Sequence, residues 1–247
     1  MYKSSKERTE DYLANFDTKQ VLKHLIKSDT PVIVDVGANV GQTLFRLKKI
    51  FPGSTMHCIE PVPEHYDELK EIAHYYDESY TYNIALGNKD EVREFNVNQH
   101  QPMLSSFYEL NENSKDSVAI NNPEASHGNF LDNEKISVQS KTLDTWATEN
   151  NITHIDMLKM DTQGSEPEIL AGGVNVLNNT NIIVTELMFY DLYKKQNSFY
   201  DIESILLPLG FELFDIGYVS KNPLTGRTDW VDVIYKKRDV ANKETNL

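Results

Sequence analysis

The segment VDVGANVGQ, residues 34–42, has the residue types of a ligand site at a strand-to-helix turn. Gly37 and Gly41 flank the turn, where glycine permits a positive φ and lets the backbone approach a ligand, while the helix start presents free N–H groups. The spacing is G-x-N-x-G, with Asn39 in the middle, and differs from the G-x-G-x-x-G of dinucleotide sites. Asp35 would repel a pyrophosphate and suits a zwitterionic or cationic ligand. The segment therefore predicts such a site, although these turns also take Gly and Asn for conformational reasons alone.

A second acidic residue, Glu60, ends the apolar run STMHCIE. At the tip of the second strand of a parallel sheet, a carboxylate can accept hydrogen bonds from both hydroxyls of a ribose. Its separation from the glycine turn is close to the ~20 residues expected for nucleoside cofactors. Taken together with the glycine turn, Glu60 favours a nucleoside ligand.

Two further carboxylates, Asp161 and Glu186, end the predicted strands HIDMLKMD and NIIVTEL. Open α/β sheets bind ligands at the carboxyl edge of their strands, and a positioned base typically contributes about 10²–10⁴-fold to a rate. Asp161 is the leading candidate for such a base or for a substrate-orienting group, Glu186 is the second, and His100 and His127 are alternatives. The two carboxylates could also bind Mg²⁺, but the sequence shows no third or fourth ligand, so no metal is assigned.

The elements that must position these residues alternate between strand and helix. PVIVDVG, STMHCIE and SYTYNIALG read as strands, and helices are predicted over about 41–51 and 63–76. This alternation is typical of a parallel, doubly wound α/β sheet. Lys159, inside a later strand, would be costly to bury without a carboxylate partner.

The rest of the chain divides around this sheet. Residues 1–29 form a helical segment, 30–238 the main domain and 239–247 a frayed tail, and an irregular insertion covers about 99–133. Before the insertion, residues 91–98 predict a strand that could form a hairpin with SYTYNIALG. After it, helices are expected over 143–149, 166–177 and 200–209, and the chain ends in two strands, FELFDIGYV and DWVDVIYK.

Composition excludes several classes of protein. The 247 residues include 24 Lys+Arg and 38 Asp+Glu, a net charge of −14, which argues against a nucleic-acid partner and against docking on anionic lipid. The single cysteine, Cys58, excludes an intramolecular disulfide, and its apolar neighbours predict a buried thiol. Without a secretory signal or a run of ~18 apolar residues, we expect a cytoplasmic protein with no membrane span; the oligomeric state stays open.

Five motifs in this order and spacing resemble the FkbM family of S-adenosylmethionine-dependent methyltransferases, over roughly residues 31–190. They are VDVGANVG, IEPVPE, NIALG, TLDTWA and LKMDTQGSEPEILAG. The resemblance implies a class I methyltransferase (Rossmann-like) fold, a doubly wound, seven-stranded, mostly parallel sheet whose last strand is antiparallel. It also implies S-adenosyl-L-methionine as cofactor and methyl transfer, typically to a hydroxyl of a carbohydrate, glycolipid or secondary metabolite. A sulfonium cation fits Asp35 and a glycine turn better than it fits a phosphate nest.

The resemblance further implies roles for individual residues. Glu60 would hold the ribose, and Asn83 and Ala85 of NIALG would approach the adenine. Ser105 and Ser106 lie in MLSSF, which is similar to a serine-containing stretch of the family, and with His127 they are candidate substrate contacts. The methionine part of the cofactor would be lined by Asp35, Gly37, Asn39 and Gly41.

Two other classes of function remain as alternatives. A nicotinamide-dependent oxidoreductase could use a similar sheet, but the G-x-N-x-G spacing and the lack of a Tyr/Lys or His catalytic pair disfavour it. A non-catalytic cofactor-binding protein could retain the fold without an acceptor site. The acceptor cannot be identified from the fold, because one fold hosts many reactions.

Overall fold

A seven-stranded sheet forms the centre of the molecule. The computed structural model describes residues 3–15, 17–99, 101–114, 133–195 and 197–238. In these ranges the sheet has the order β3-β2-β1-β7-β8-β10-β9, and only β10 runs antiparallel to its neighbours. Its strands are β1 (Val32–Val36), β2 (Thr55–Ile59), β3 (Ser79–Tyr82), β7 (Ile155–Met160), β8 (Thr180–Met188), β9 (Phe211–Lys221) and β10 (Thr228–Lys237).

This arrangement confirms the predicted doubly wound sheet with an antiparallel last strand. The strand order reverses between β1 and β7, and the carboxyl ends of these strands meet at one edge, where open α/β sheets bind ligands. Both faces of the sheet are covered, so β1 reads as a continuous β-branched run. Ile33 packs into one apolar core and Val34 into the other, each with no exposed surface.

Helices cover both faces of this sheet. The helix Thr18–Leu25 packs through Val21 and Leu22, together with Ile26 after it, beside the helices that follow β1 and β2. The helix predicted over 166–177 is interrupted at Gly172, whose Cα approaches the backbone of Gly87 too closely for a side chain. The helices are α1 (Ser5–Asn15), α2 (Thr18–Leu25), α3 (Gln42–Ile50), α4 (Pro63–Ala73), α5 (Leu143–Glu149), α6 (Glu166–Ala171), α7 (Val174–Leu177) and α8 (Phe199–Leu206).

A second, three-stranded sheet was not predicted. It has the order β4-β6-β5 and consists of β4 (Ala85–Gly87), β5 (Glu91–Asn98) and β6 (Asn133–Thr142). The prediction of one continuous strand over SYTYNIALG is therefore wrong, because the chain leaves the main sheet after Tyr82 and Ala85 pairs with Ser140. The predicted hairpin is also wrong, since β5 pairs with β6.

Between β5 and β6 lies part of the predicted insertion. Residues 101–114 contain a short 3₁₀ helix, Pro102–Leu104, and we call these residues the cap. The division into residues 1–29, 30–238 and 239–247 stays a prediction, and 239–247 lie outside the described residues. None of the helices in the described ranges combines the length and apolar character that crossing a bilayer requires.

Candidate active site

A cavity of about 690 Å³ opens at the carboxyl edge of the main sheet. Its volume lies within the range of about 300–1,000 Å³ that is usual for small-molecule sites. The glycine turn, the end of β2 and β4 form one end of this central cavity, and the ends of β7 and β8 form the other. The cap closes one side through Met103, Leu104 and Phe107. The cavity therefore joins the two groups of residues that sequence analysis singled out separately.

The glycine turn holds its shape through backbone contacts. Gly37 has φ 79° and Gly41 has φ 91°, and the N–H groups of Gly37 and Ala38 both donate to the carbonyl oxygen of Ile59 at 3.0 Å. Asn39 also adopts a left-handed conformation, with φ 49°. Gly37 and Asn39 line the central cavity, whereas Gly41 caps α3 behind it.

Glu60 is fixed at the end of β2 by two backbone donors. Its Oε2 accepts from Asn39 N and its Oε1 from Val62 N, both at 2.9 Å. Each carboxylate oxygen can accept a second hydrogen bond, and the residue lines the central cavity. Glu60 is thus oriented to receive two further donors from a ligand.

His65 is a cavity residue that sequence analysis missed. Its Nδ1 lies 3.7 Å from Oε1 of Glu60, and the interaction with Glu60 raises the pKa of His65. The sequence signal for this residue was its position in the first turn of α4, directly after IEPVPE.

The two candidate residues of the NIALG segment, Asn83 and Ala85, have different positions. Ala85 lines the central cavity together with Ile84 and Leu86. The side-chain amide of Asn83 instead donates to the carbonyl oxygens of Glu60, at 3.0 Å, and Pro61, at 3.1 Å. Asn83 is not part of the cavity wall and holds the Glu60 segment in place.

At the other end of the cavity, Lys159 lies between two carboxylates. Its Nζ is 3.3 Å from Oδ2 of Asp161 and 3.5 Å from Oδ1 of Asp35. Burial opposes the charge of Lys159, but both carboxylates raise its pKa. This is the partner arrangement that the inward-facing lysine required.

The two carboxylates beside Lys159 differ in position. Asp35 is fully buried, which raises its pKa, and it lies behind the cavity wall. Asp161 lines the cavity with 40% of its side chain exposed. Partial desolvation opposes ionisation of Asp161, but the Lys159 ammonium and the Gln163 amide outweigh it and lower the pKa. Asp161 is thus a permanent anion at the site.

Glu186, at the same sheet edge, has the opposite electrostatics. Burial is the largest cause, and the charges of Asp161, Asp232 and Glu166 add to it, so that the pKa of Glu186 is raised well above its ordinary value. Glu186 lines the cavity, so its carboxyl group can reach a ligand. A carboxyl group with a raised pKa suits proton transfer near neutral pH better than Asp161 does.

The serines of MLSSF have different positions. Ser105 lines the cavity, and its Oγ accepts from Asn98 N at 3.0 Å. Ser106 is fully buried, outside the cavity wall, and its Oγ donates to the carbonyl oxygen of Gln163 at 2.7 Å. His127 and His100 lie outside the described residues.

Glu168 ties the cap to the main domain. Its carboxylate accepts from Arg93 at 2.6 Å and from the Tyr108 hydroxyl at 2.5 Å, and Lys195 lies 3.3 Å away. Although burial opposes ionisation, these donors lower the pKa of Glu168. Glu168 therefore joins β5, the cap and the segment after β8.

Part of the cavity lining is apolar and aromatic. Phe45, Met103 and Trp230 belong to it, and Phe45 and Met103 are 45% and 63% exposed. Arg46 supplies a cation to the same lining. In the part of the chain that the structure describes, no three His, Cys, Asp or Glu residues come together in a way that could bind a metal ion.

Comparisons with known proteins agree with this geometry. The family model of the methyltransferase FkbM domain matches residues 35–213. The 2-O-methyltransferase NoeI of Sinorhizobium fredii is 28% identical over 185 residues, covering 72% of this chain and 71% of the relative. Methyltransferase 1 of Beauveria bassiana is 25% identical over 187 residues, covering 74% of this chain and 73% of the relative.

A solved structure gives a weaker likeness. The structure of a SAM-dependent methyltransferase from Aquifex aeolicus aligns over 95% of this chain and 98% of that chain, at 13% identity and a TM-score of 0.44. The family match includes the glycine turn, Glu60, Asp161 and Glu186.

Proposed function

Because the chain belongs to the FkbM family of S-adenosylmethionine-dependent methyltransferases, we propose that it methylates a hydroxyl oxygen of a small, carbohydrate-like acceptor. The observation that carries the proposal is that the carboxyl groups of Asp161 and Glu186 line the same cavity as Glu60. One end of the cavity therefore suits a nucleoside and the other suits a hydroxyl group that must lose its proton. Family membership favours methyl transfer over the nicotinamide-dependent alternative.

The residues at the Glu60 end fit the cofactor. Glu60 has one hydrogen bond on each carboxylate oxygen, which leaves both oxygens able to accept from the two ribose hydroxyls. Ile84, Ala85 and Leu86 give an apolar wall suited to a flat base. A β-carbon at residue 37 would clash with the backbone carbonyl of Asp161, so the turn can lie against the end of β7 only with glycine there.

When bound, the cofactor supplies an electrophilic methyl group on a sulfonium. The chain's residues then need to hold the acceptor and take its proton, since an alcohol is a weak nucleophile at neutral pH. The carboxylate of Glu186 would take the hydroxyl proton while the electron pair on the acceptor oxygen forms the bond to the methyl carbon. The methyl–sulfur bond would break with its electron pair going to sulfur, which leaves neutral S-adenosylhomocysteine. Asp161, held ionised by Lys159, accepts a hydrogen bond from the acceptor and orients it.

Aromatic residues in the cavity lining support a sugar-like acceptor. The rings of Trp230 and of Phe45, one face of which is covered by the Lys49 ammonium, suit the C–H face of a sugar, and the carboxyl groups of the same cavity suit its hydroxyls. The relative named as a 2-O-methyltransferase also supports an oxygen acceptor.

The test is a turnover assay with matched pairs of acceptors. Wild-type protein and Glu186→Gln are incubated with S-adenosylmethionine and with monosaccharides or short glycosides, each paired with its amino analogue, and S-adenosylhomocysteine is measured. We expect turnover with a hydroxylated acceptor by the wild type, and a loss of about 100-fold or more in Glu186→Gln. Turnover that requires the amine would contradict the proposal.

A further inference from the structure

Gln163 lies between the two carboxyl groups and is held from both directions. Its backbone is in the left-handed region, with φ 55°, although it is not glycine. The buried Ser106 hydroxyl donates to its carbonyl oxygen at 2.7 Å. A non-glycine residue keeps such a conformation only when its surroundings require it, and such residues concentrate at functional sites.

The side-chain amide of Gln163 has a defined orientation. The hydroxyl of Tyr193, a fully buried residue, lies 3.0 Å from Oε1 of Gln163 and 3.1 Å from the carbonyl oxygen of Leu104. At its other end, Nε2 lies 2.9 Å from Oδ1 of Asp161. An ionised carboxylate accepts and cannot donate, so the amide nitrogen must face Asp161.

The second hydrogen of the same amide nitrogen points toward the base. Nε2 of Gln163 lies 3.5 Å from Oε1 of Glu186, so one NH₂ group serves both carboxyl groups. A long hydrogen bond contributes less than a short one. Gln163 therefore stabilises the carboxylate of Asp161 more than that of Glu186.

We propose that Gln163 is a positioning residue that holds Asp161 as the fixed partner of Lys159 and leaves the Glu186 carboxyl group to take the acceptor's proton. This inference rests on the proposed function, in which Glu186 is the base. Sequence analysis did not single out Gln163.

The charges around Glu186 fix the direction of the expected effect. Asp161 and Lys159 face it from β7, Asp232 from β10 and Glu166 from α6. An N–H donor favours the ionised form of a carboxyl group, so removing the Gln163 amide raises the pKa of Glu186. The negative charges of Asp161, Asp232 and Glu166 also raise the pKa of Glu186, and the substitution leaves them in place.

The test compares Gln163→Met, which keeps the length and removes the amide, with Gln139→Met on the exposed face of β6. The carboxyl carbons of Asp161 and Glu186 are titrated by ¹³C NMR in cofactor-free protein and assigned by their loss in Asp161→Asn and Glu186→Gln. In Gln163→Met only, we expect the pKa of Asp161 to rise by roughly 0.5–1 unit, because its 2.9 Å hydrogen bond is lost, and the pKa of Glu186 to rise by less. The acid limb of kcat/KM for the acceptor should move with the pKa of Glu186, with the cofactor Kd within about threefold.

Each outcome decides the matter. Identical titration of Asp161 and Glu186 in wild type and Gln163→Met would overturn the proposal, and so would a shifted Glu186 titration with an unmoved kcat/KM profile. A loss of thermal stability or cofactor affinity with no shift in the titration would show a merely structural role. If the wild type methylated no hydroxylated acceptor, the proposed function would fail independently of the titration.

Discussion

The backbone of Asp161 lies directly against Gly37. A β-carbon added at residue 37 would come 3.0 Å from the carbonyl carbon of Asp161 and still closer to its oxygen. The two residues are 124 positions apart in sequence, and β1 and β7 bring them together as parallel neighbours. The glycine turn and the strand end that carries Asp161 therefore lie in direct backbone contact.

This contact predicts the effect of Gly37→Ala. The variant combines two penalties, a positive φ that alanine tolerates poorly and a clash with backbone that cannot move aside. We expect a loss of unfolding free energy of several kcal/mol, more than the ~1–3 kcal/mol of backbone strain alone, and no detectable cofactor binding.

Gly226→Ala is the matched control for this change. Gly226 has φ 71°, and an added β-carbon there would meet nothing within 4 Å. Chemical denaturation of both variants separates strain from clash. Equal losses would show that the close approach to Asp161 contributes nothing.

Glu60→Gln should weaken binding of S-adenosylmethionine by roughly 1–3 kcal/mol, the range for loss of a charge-assisted hydrogen bond. In the wild type, the backbone N–H groups of Asn39 and Val62 both donate to the Glu60 carboxylate. In the variant, the amide NH₂ would face one of these two donors and could not accept from it. Calorimetry on this variant and on Glu64→Gln, an exposed change in the same region, measures the difference. Unchanged affinity would mean that the ribose is held elsewhere.

Asp161→Asn should abolish turnover while leaving cofactor affinity within several-fold. The amide cannot neutralise Lys159, whose remaining carboxylate partner among the described residues is the buried Asp35. A steady-state assay and calorimetry on the same sample test this, with the exposed Asp67→Asn as control. An Asp161→Asn protein that retained full activity would remove this residue from the mechanism.

Activity should rise with pH through the pKa of Glu186. The base acts only when ionised, and its raised pKa moves that ionisation toward neutral pH. The kcat/KM profile of the wild type for the acceptor should therefore have an acid limb above the ordinary range of a glutamate. A profile that stays flat down to the ordinary pKa of glutamate, ~4.3, would contradict the role of Glu186.

The same pKa shift predicts a gain in stability from Glu186→Gln. A carboxyl group whose folded-state pKa is raised stabilises the fold below its unfolded pKa, and this contribution is lost as pH rises through the folded pKa. The neutral amide escapes this loss, so at neutral pH its melting temperature should exceed that of the wild type, by about 2–4 °C per kcal/mol gained. The difference should shrink at acidic pH; a lower melting temperature at neutral pH would refute the shift.

Glu168→Gln should loosen the cap and affect binding of the acceptor more than the chemistry at Glu186. The charge that holds Arg93, Tyr108 and Lys195 together is lost, and the cap is one wall of the cavity. Hydrogen exchange should accelerate over residues 105–110, and KM should rise more than kcat falls. Protection equal to that of the wild type would show that the cap is held by its apolar contacts alone.

The main sheet could be predicted because its determinants are local. The β-branched run of β1, the glycine turn after it and the charged tip of β2 each lie within a few residues of sequence. The need of Lys159 for a carboxylate partner could also be predicted, because a buried ammonium group is costly unless it is paired. The number of seven strands and the antiparallel last strand were not local predictions and came from the resemblance to the FkbM family.

The contacts that complete the site join distant positions and left no local pattern. β4 leaves the main sheet because Ala85 pairs with Ser140, 55 residues away. Gln163 contacts Tyr193, 30 residues away, and Ser106 of the cap, 57 residues away. For Asp35, the motif could be recognised in the sequence but the direction of the side chain could not. The pleat of β1 places this side chain behind the cavity wall.

The most direct test of the account is to locate the transferred methyl group. Wild-type protein and Glu186→Gln receive S-adenosylmethionine labelled with ¹³C in the methyl group and the best acceptor from the matched pairs, and NMR identifies the atom that carries the label. The account predicts an O-methyl signal with the wild type and none with Glu186→Gln, although calorimetry shows that the variant still binds the cofactor. A label on nitrogen or carbon, or an equal O-methyl yield from Glu186→Gln, would contradict it.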